Sequence, residues 1–180
     1  TYGSPQVRAL TRATRPFLMQ PPAGFAAHPI LTPRGATIIG TAAQEEGVRA
    51  LYEAIVPFTR DIELHDTARM QAAVPVLRPE AAHIGLHEPG AADIDVNELH
   101  QGFLRGLRAR GGELRLDVDI QAISHGGNGW QVDDGKQAFR APLLLNAAGA
   151  WVDQVAALAG VTPIGIVPKR RSVFLFDPPE

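Results

Sequence analysis

Apolar residues recur with two periods along the chain, and these periods predict its helices and strands. A spacing of three to four residues, typical of a helix with one buried face, marks segments 7–19, 44–59, 66–73, 95–110 and 150–158. Alternating or continuous apolar runs, typical of strands, mark segments 30–31, 36–40, 82–87, 114–116, 118–124, 129–133 and 143–145. The order of these elements predicts a mixed α/β fold whose sheet carries an antiparallel insertion.

The helix predicted at 95–110 has clear signals at both ends. Asp95 can cap its start, with Glu98 three residues on as the reciprocal partner of a capping box. Gly111-Gly112 ends it. Its apolar positions share one face and predict a buried stripe, formed by Val96, Leu99, Phe103 and Leu107.

Two turns are predicted between strands. Thr32-Pro-Arg-Gly35 indicates a hairpin between segments 30–31 and 36–40. Gly126-Gly-Asn-Gly129 indicates a second hairpin. Because this glycine cluster lies between two strands and not before a helix, it is not interpreted as a phosphate-binding loop.

Composition and charge exclude several classes of function. A net charge of −2 gives no attraction to nucleic acid or anionic lipid, and no apolar stretch reaches the roughly 18 residues of a membrane span. The sequence has no cysteine, which excludes disulfides, thiolate metal sites and a cysteinyl link to a cofactor in this stretch. We expect a cytoplasmic protein of one domain or two small lobes.

Neither end of the sequence has the features of a natural terminus. It starts at Thr1 without an initiator Met or a signal peptide. It stops at Glu180, soon after the apolar run Val173-Phe-Leu-Phe176. We therefore expect an internal fragment of a longer protein.

The segment from Leu143 to Trp151 has the strongest chemical signal. Its continuous apolar run at 143–145 predicts a strand covered on both faces, and Ala147-Ala-Gly-Ala150 then turns the chain into a helix. Tiny side chains let a flat or anionic group approach the backbone, and a helix start offers unpaired N–H groups. In open α/β sheets, ligands bind at this end of a strand. On residue types alone, tight strand–helix packing without a ligand explains the pattern equally well.

The same segment resembles the flavoprotein family of D-amino-acid oxidase, glycine oxidase and sarcosine oxidase. The resemblance is carried by Asn146-Ala-Ala-Gly-Ala-Trp151 with Asp153 and Ala156-Ala-Leu-Ala-Gly160, by helix 95–110 before Gly-Gly-Glu-Leu, and by Pro168-Lys-Arg-Arg-Ser-Val-Phe-Leu-Phe176. It implies part of an FAD-binding Rossmann-like domain plus part of an antiparallel-sheet substrate domain. Residues 1–92 would be mostly substrate-domain lobe, 93–162 part of the FAD-binding domain with a β-meander, and 163–180 a strand returning to the substrate domain.

The resemblance implies an oxidoreductase that oxidises a small amine or D-amino acid by hydride transfer to a non-covalent FAD. The main chain of Ile120 would meet the adenine, and the cofactor-binding turn would comprise Ala147, Ala148, Gly149 and Trp151. One departure is that the family's Gly-x-Gly-x-x-Gly turn, which holds the pyrophosphate, is missing. We therefore expect these residues alone to be inactive and weak in FAD binding.

Side chains that could bind a substrate or a metal carry weaker signals. Arg170 and Arg171 could grip a substrate carboxylate through two parallel hydrogen bonds, although a solvated basic turn is the favoured interpretation. His83 and His87 lie about 13 Å apart on an extended strand, so no shared metal is expected.

The sequence leaves the substrate open between an amine and a compound such as glycerol 3-phosphate or another 2-hydroxy acid. A non-catalytic binding module without flavin is the third alternative. Neither catalytic residues nor the oligomeric state can be named, and a dehydrogenase that reduces a membrane quinone would lie at the membrane surface.

Overall fold

The computed structural model describes residues 3–59, 61–170 and 172–174. The chain divides into two compact units, the first ending at Glu113 and the second starting at Leu114. This boundary differs from the limits at 92 and 162 expected from the sequence, and the assignment of those stretches to domains stays a prediction. Among the described residues, no helix is both long and apolar enough to cross a membrane.

Helices and strands alternate irregularly along the described chain. The helices are α1 (Pro5–Met19), α2 (Glu45–Ile55), α3 (Thr67–Ala73), α4 (Val96–Ala109) and α5 (Val152–Leu158), with short 3-10 helices at Ala42–Gln44 and Gly149–Trp151. The strands are β1 (Leu31–Pro33), β2 (Ala36–Gly40), β3 (Glu63–Asp66), β4 (Ile84–Glu88), β5 (Ala92–Ile94), β6 (Ala122–Gly126), β7 (Gly129–Asp133) and β8 (Ala138–Ala141). The mixed α/β class is confirmed, and every described strand pair is antiparallel.

A three-stranded sheet with the order β2-β4-β3 forms the centre of the first unit. Helix α2 packs on it, and the core they enclose consists of Val48, Ile55, Ile62, Ile84 and Leu86. The predicted helix at 44–59 ends early, at Ile55. Pro57 follows closely, and a proline disfavours further helix because it lacks an N–H donor.

The hairpin predicted around residues 32–35 is wrong. Both of its strands form, but β1 pairs with β5 and β2 pairs with β4. The amides of Arg34 and Gly35 both donate to the carbonyl oxygen of Ala91, at 3.2 and 2.9 Å. The turn signal therefore marks the break between two successive antiparallel pairs, β1–β5 and β2–β4.

An aromatic cluster joins α1 to α4. The ring centroids of Phe17 and Phe25 lie 4.9 Å apart, and those of Phe25 and Phe103 lie 5.1 Å apart. The cluster approaches α4 at Gly102, which is buried. Because Gly102 has no Cβ, the ring of Phe25 can lie directly against the helix backbone.

The start of α4 follows its prediction only in part. The carboxylate of Asp95 accepts the amide N–H of Glu98 at 2.8 Å, so the cap is confirmed. The reciprocal half of the capping box is wrong, because the Glu98 carboxylate accepts instead from the amide of Ala27 at 2.9 Å and from Arg105 at 2.6 Å. Glu98 thereby ties the loop before β1 to α4.

The buried stripe predicted for α4 is also wrong. The exposed fractions of Val96, Phe103 and Leu107 are 70%, 59% and 40%. Glu98 and Gly102 are the buried positions of this helix. Within the described residues, the rest of the unit packs against the Glu98 side of α4 and leaves most of its apolar stripe uncovered.

Hydrogen bonding at Glu98 makes the stability of the first unit depend on pH. The Ala27 amide, and next the Arg105 guanidinium, lower the pKa of Glu98 below its usual value of 4.5. A lowered folded-state pKa stabilises the fold above pH 4.5, and this stabilisation is lost as the pH falls through the folded-state value. We expect Glu98→Gln to flatten the acid limb of the unfolding free energy measured by urea titration. An unchanged acid limb would contradict this expectation.

The second unit contains the meander β6-β7-β8. Its first hairpin is confirmed, with Gly126 opposite Gly129. The strands predicted at 114–116 and 143–145 are wrong, since both stretches lie outside any strand. Leu143 and Leu145 are 80% and 83% exposed. A strand requires a hydrogen-bonded neighbour, and no described strand pairs with either stretch.

Candidate functional site

The turn that follows residues 143–145 is held by one side chain. The Asn146 side-chain amide donates to the carbonyl oxygen of Val152 at 2.8 Å, and its oxygen accepts the amide N–H of Ala148 at 3.3 Å. Asn146 thus bridges the two ends of the turn. This explains why an amide side chain, which both donates and accepts, occupies the position.

The backbone of this turn is open on the side of Gly149. Gly149 has φ +57°, and a Cβ added there would meet no atom within 4 Å. Ala147 and Gly149 donate no backbone hydrogen bond to another described residue. The peptide groups of Ala147 and Gly149 are therefore open on this side, and the cofactor contact expected there stays a prediction.

The other predicted cofactor contacts belong to the same unit. Ile120 is half-buried just before β6, and its peptide N–H makes no hydrogen bond to a described residue. Helix α5, which starts after the turn, packs against β6. Trp151 is 64% exposed, so it does not form core within the described residues.

The two predicted substrate-binding arginines have different outcomes. Arg170 is exposed and makes no ion pair with a described residue. Arg171 lies outside the described residues. Their role stays a prediction.

A polar cluster on the sheet of the first unit was missed in the sequence. The rings of His65 and His87 stack with centroids 4.9 Å apart, Thr37 Oγ1 lies 2.9 Å from His87 Nδ1, and Glu63 pairs with both His65 and Arg69. The Arg69 hydrogen bond lowers the pKa of Glu63. These groups satisfy one another, and no set of three metal-ligating side chains occurs in the described part of the chain.

His83 lies just before β4, and its Nε2 is 3.0 Å from Glu45 Oε2. The signal for the missed cluster was the alternation in Glu63-Leu-His-Asp66. This alternation places Glu63 and His65 on one face of a strand.

Comparison with known proteins assigns the chain to a family. Residues 2–180 match the family described as FAD dependent oxidoreductase (DAO). The chain belongs to this family. The family resemblance predicted from the sequence is thereby confirmed, and the match includes all but the first of the 180 residues given.

The individual relatives share low sequence identity with this chain. The human mitochondrial dimethylglycine dehydrogenase is 27% identical over 99 residues, which is 54% of this chain and 11% of that protein. Glycine oxidase from Geobacillus kaustophilus matches with a TM-score of 0.73 at 21% identity, covering 89% of this chain and 44% of its own. The FAD-bound L-α-glycerophosphate oxidase of Mycoplasma pneumoniae matches with a TM-score of 0.59 at 18% identity, covering 70% of this chain and 35% of its own.

These structural matches show a shared fold. The chain spans 11% of the length of dimethylglycine dehydrogenase and 44% of the glycine oxidase chain. The structural likeness therefore shows the fold alone, and membership of the FAD-dependent oxidoreductase family rests on the family match.

Proposed function

We propose that this stretch forms one wall of the FAD pocket in an enzyme that oxidises a small amine or amino acid. The observation that carries the proposal is the open backbone at Ala147 and Gly149, in a chain whose family is FAD-dependent. The described residues fit a flat cofactor on this side, because its approach displaces neither a side chain nor a backbone hydrogen bond.

Each predicted contact residue has a defined task in this proposal. The peptide groups of Ala147 and Gly149 offer N–H donors, and the peptide of Ile120 contacts the adenine. The small side chain of Ala148 leaves room for the cofactor to lie close to the backbone. Trp151 supplies an exposed indole that excludes water from the pocket. FAD, when bound, supplies the acceptor for a hydride from the carbon that carries the amine.

The missing glycine turn limits what these residues do alone. The sequence has no Gly-x-Gly-x-x-Gly motif, so the described turn contributes a side wall and not the pyrophosphate floor. The proposal therefore concerns the complete protein. For it we propose a cytoplasmic location, in keeping with the absence of cysteine.

The amine substrate is supported by two of the relatives. Glycine oxidase and dimethylglycine dehydrogenase are named for small amino acids. A substrate carboxylate would bind the guanidinium groups of Arg170 and Arg171. The glycerophosphate oxidase match supports the alternative substrate, for which the same cationic segment would bind a phosphate.

Anaerobic reduction of the bound flavin distinguishes these substrates. We expect glycine, N-methylated glycines or D-amino acids to bleach the visible flavin band of the full-length protein, because hydride transfer removes the oxidised chromophore. Glycerol 3-phosphate is the matched control. Bleaching by glycerol 3-phosphate alone would overturn the amine assignment, and no bleaching by either class would favour a non-catalytic module.

A further inference from the structure

The carboxylate of Asp153 gathers three consecutive backbone amides. Asp153 lies at the start of α5, directly after the turn at 147–151. Its Oδ1 accepts the amide N–H of Ile164 at 2.9 Å, and its Oδ2 accepts those of Gly165 at 2.9 Å and Ile166 at 2.7 Å. Gly165 has φ +85°, which lets successive N–H groups point to one anion, as in a backbone nest.

These bonds are the main attachment of the segment that follows α5. Residues 162–170 are exposed and form neither helix nor strand. Their backbone makes no hydrogen bond to another described residue besides the three to Asp153. The backbone hydrogen bonds between this segment and α5 therefore all go to a single carboxylate.

We propose that Asp153 is a positioning residue that fixes residues 162–170 against the flavin-facing turn. The inference rests on the proposed function. Asp153 follows Trp151 by two residues, and the segment it binds leads to Lys169 and Arg170. One side chain thus links the wall of the pocket to the cationic segment. An ångström-scale displacement of either part is enough to weaken binding and turnover.

The test compares Asp153→Ala with Asp134→Ala in the full-length protein. Asp134 is a matched control in the same unit, because its carboxylate also accepts two backbone amides, those of Lys136 and Gln137, both at 2.8 Å. It lies in the β7–β8 loop, away from the turn in sequence. Asp153→Asn is the second variant, since it keeps the shape of the side chain but replaces one acceptor by a donor.

Three measurements are needed on each variant. Hydrogen exchange reports protection of the amides at 164–166, equilibrium titration reports the FAD dissociation constant, and the visible absorption and circular dichroism of bound flavin report its surroundings. For Asp153→Ala we expect lost protection, an FAD dissociation constant raised about tenfold and an altered flavin spectrum. Asp153→Asn is expected to show the same changes to a smaller extent. Asp134→Ala is expected to leave FAD affinity and spectrum unchanged.

The outcomes separate this inference from the proposed function. If the unaltered protein binds FAD, and both Asp153 variants bind it with the same affinity and spectrum as Asp134→Ala, the positioning role is overturned and the proposed function stands. If the unaltered protein binds no FAD, the proposed function fails and this inference fails with it.

Discussion

Replacing Gly149 by valine in the full-length protein should abolish FAD retention during gel filtration. The added Cβ would meet no atom within 4 Å, so the isopropyl group would project into the space assigned to the cofactor. Filling a site that a flat ligand must occupy costs several kcal/mol, or a loss of about a hundredfold or more in affinity. The measurement is the ratio of flavin to protein absorbance in the eluted peak.

Strain must be separated from obstruction in this experiment. At φ +57°, a β-branched residue costs about 1–2 kcal/mol whatever surrounds it. Gly160 provides the matched control, because its φ is +66° and an added Cβ there also meets nothing within 4 Å. Gly160→Val should lose similar stability but retain flavin. Equal flavin retention in both variants would show that the open side of Gly149 does not face the cofactor.

Replacing Gly102 by alanine should lower the free energy of unfolding of the first unit. A Cβ at this position would lie 2.5 Å from Phe25 Cε1 and 2.7 Å from the Phe25 carbonyl oxygen. Relief requires the backbone at Phe25 to move, since the carbonyl oxygen cannot rotate away as a side chain can. We expect a net loss of about 2 kcal/mol in the free energy of unfolding, typical of overpacking.

Gly47→Ala is the control for Gly102→Ala. Gly47 also lies within a helix, but an added Cβ there meets nothing within 4 Å. Alanine is a better helix former than glycine, so this variant should gain about 0.5–1 kcal/mol. The two changes are compared by urea denaturation. A similar gain at Gly102 would show that Phe25 adjusts without cost.

Local signals predicted much of the fold correctly. Asp95 caps α4, and Gly126 faces Gly129 across a two-residue turn. In each case the interacting groups lie within a few residues of one another, so the sequence contains the whole interaction.

Pairing between distant segments could not be predicted in the same way. Turn residues at 32–35 suit a hairpin, but β1 and β2 pair with partners more than forty residues away. The apolar stripe of α4 indicates a buried face without identifying what covers it. The stacking of His65 on His87 likewise depends on register across a sheet, which no single-strand pattern shows.

In the candidate site, too, local features could be predicted from the sequence and contacts between distant residues could not. Small residues at 147–150 predicted an approachable backbone because the effect needs only the absence of side chains. The Asp153 interaction could not be predicted, because it depends on the path of the chain after Gly160, where Gly165 turns three amides toward one carboxylate.

The flavin content of the full-length protein tests the central claim most directly. After incubation with FAD and gel filtration, the visible spectrum of the protein peak is recorded. A pocket wall at residues 147–151 predicts flavin that elutes with the protein in close to equimolar amount and is lost in Gly149→Val. A colourless protein peak after incubation with excess FAD would contradict the account.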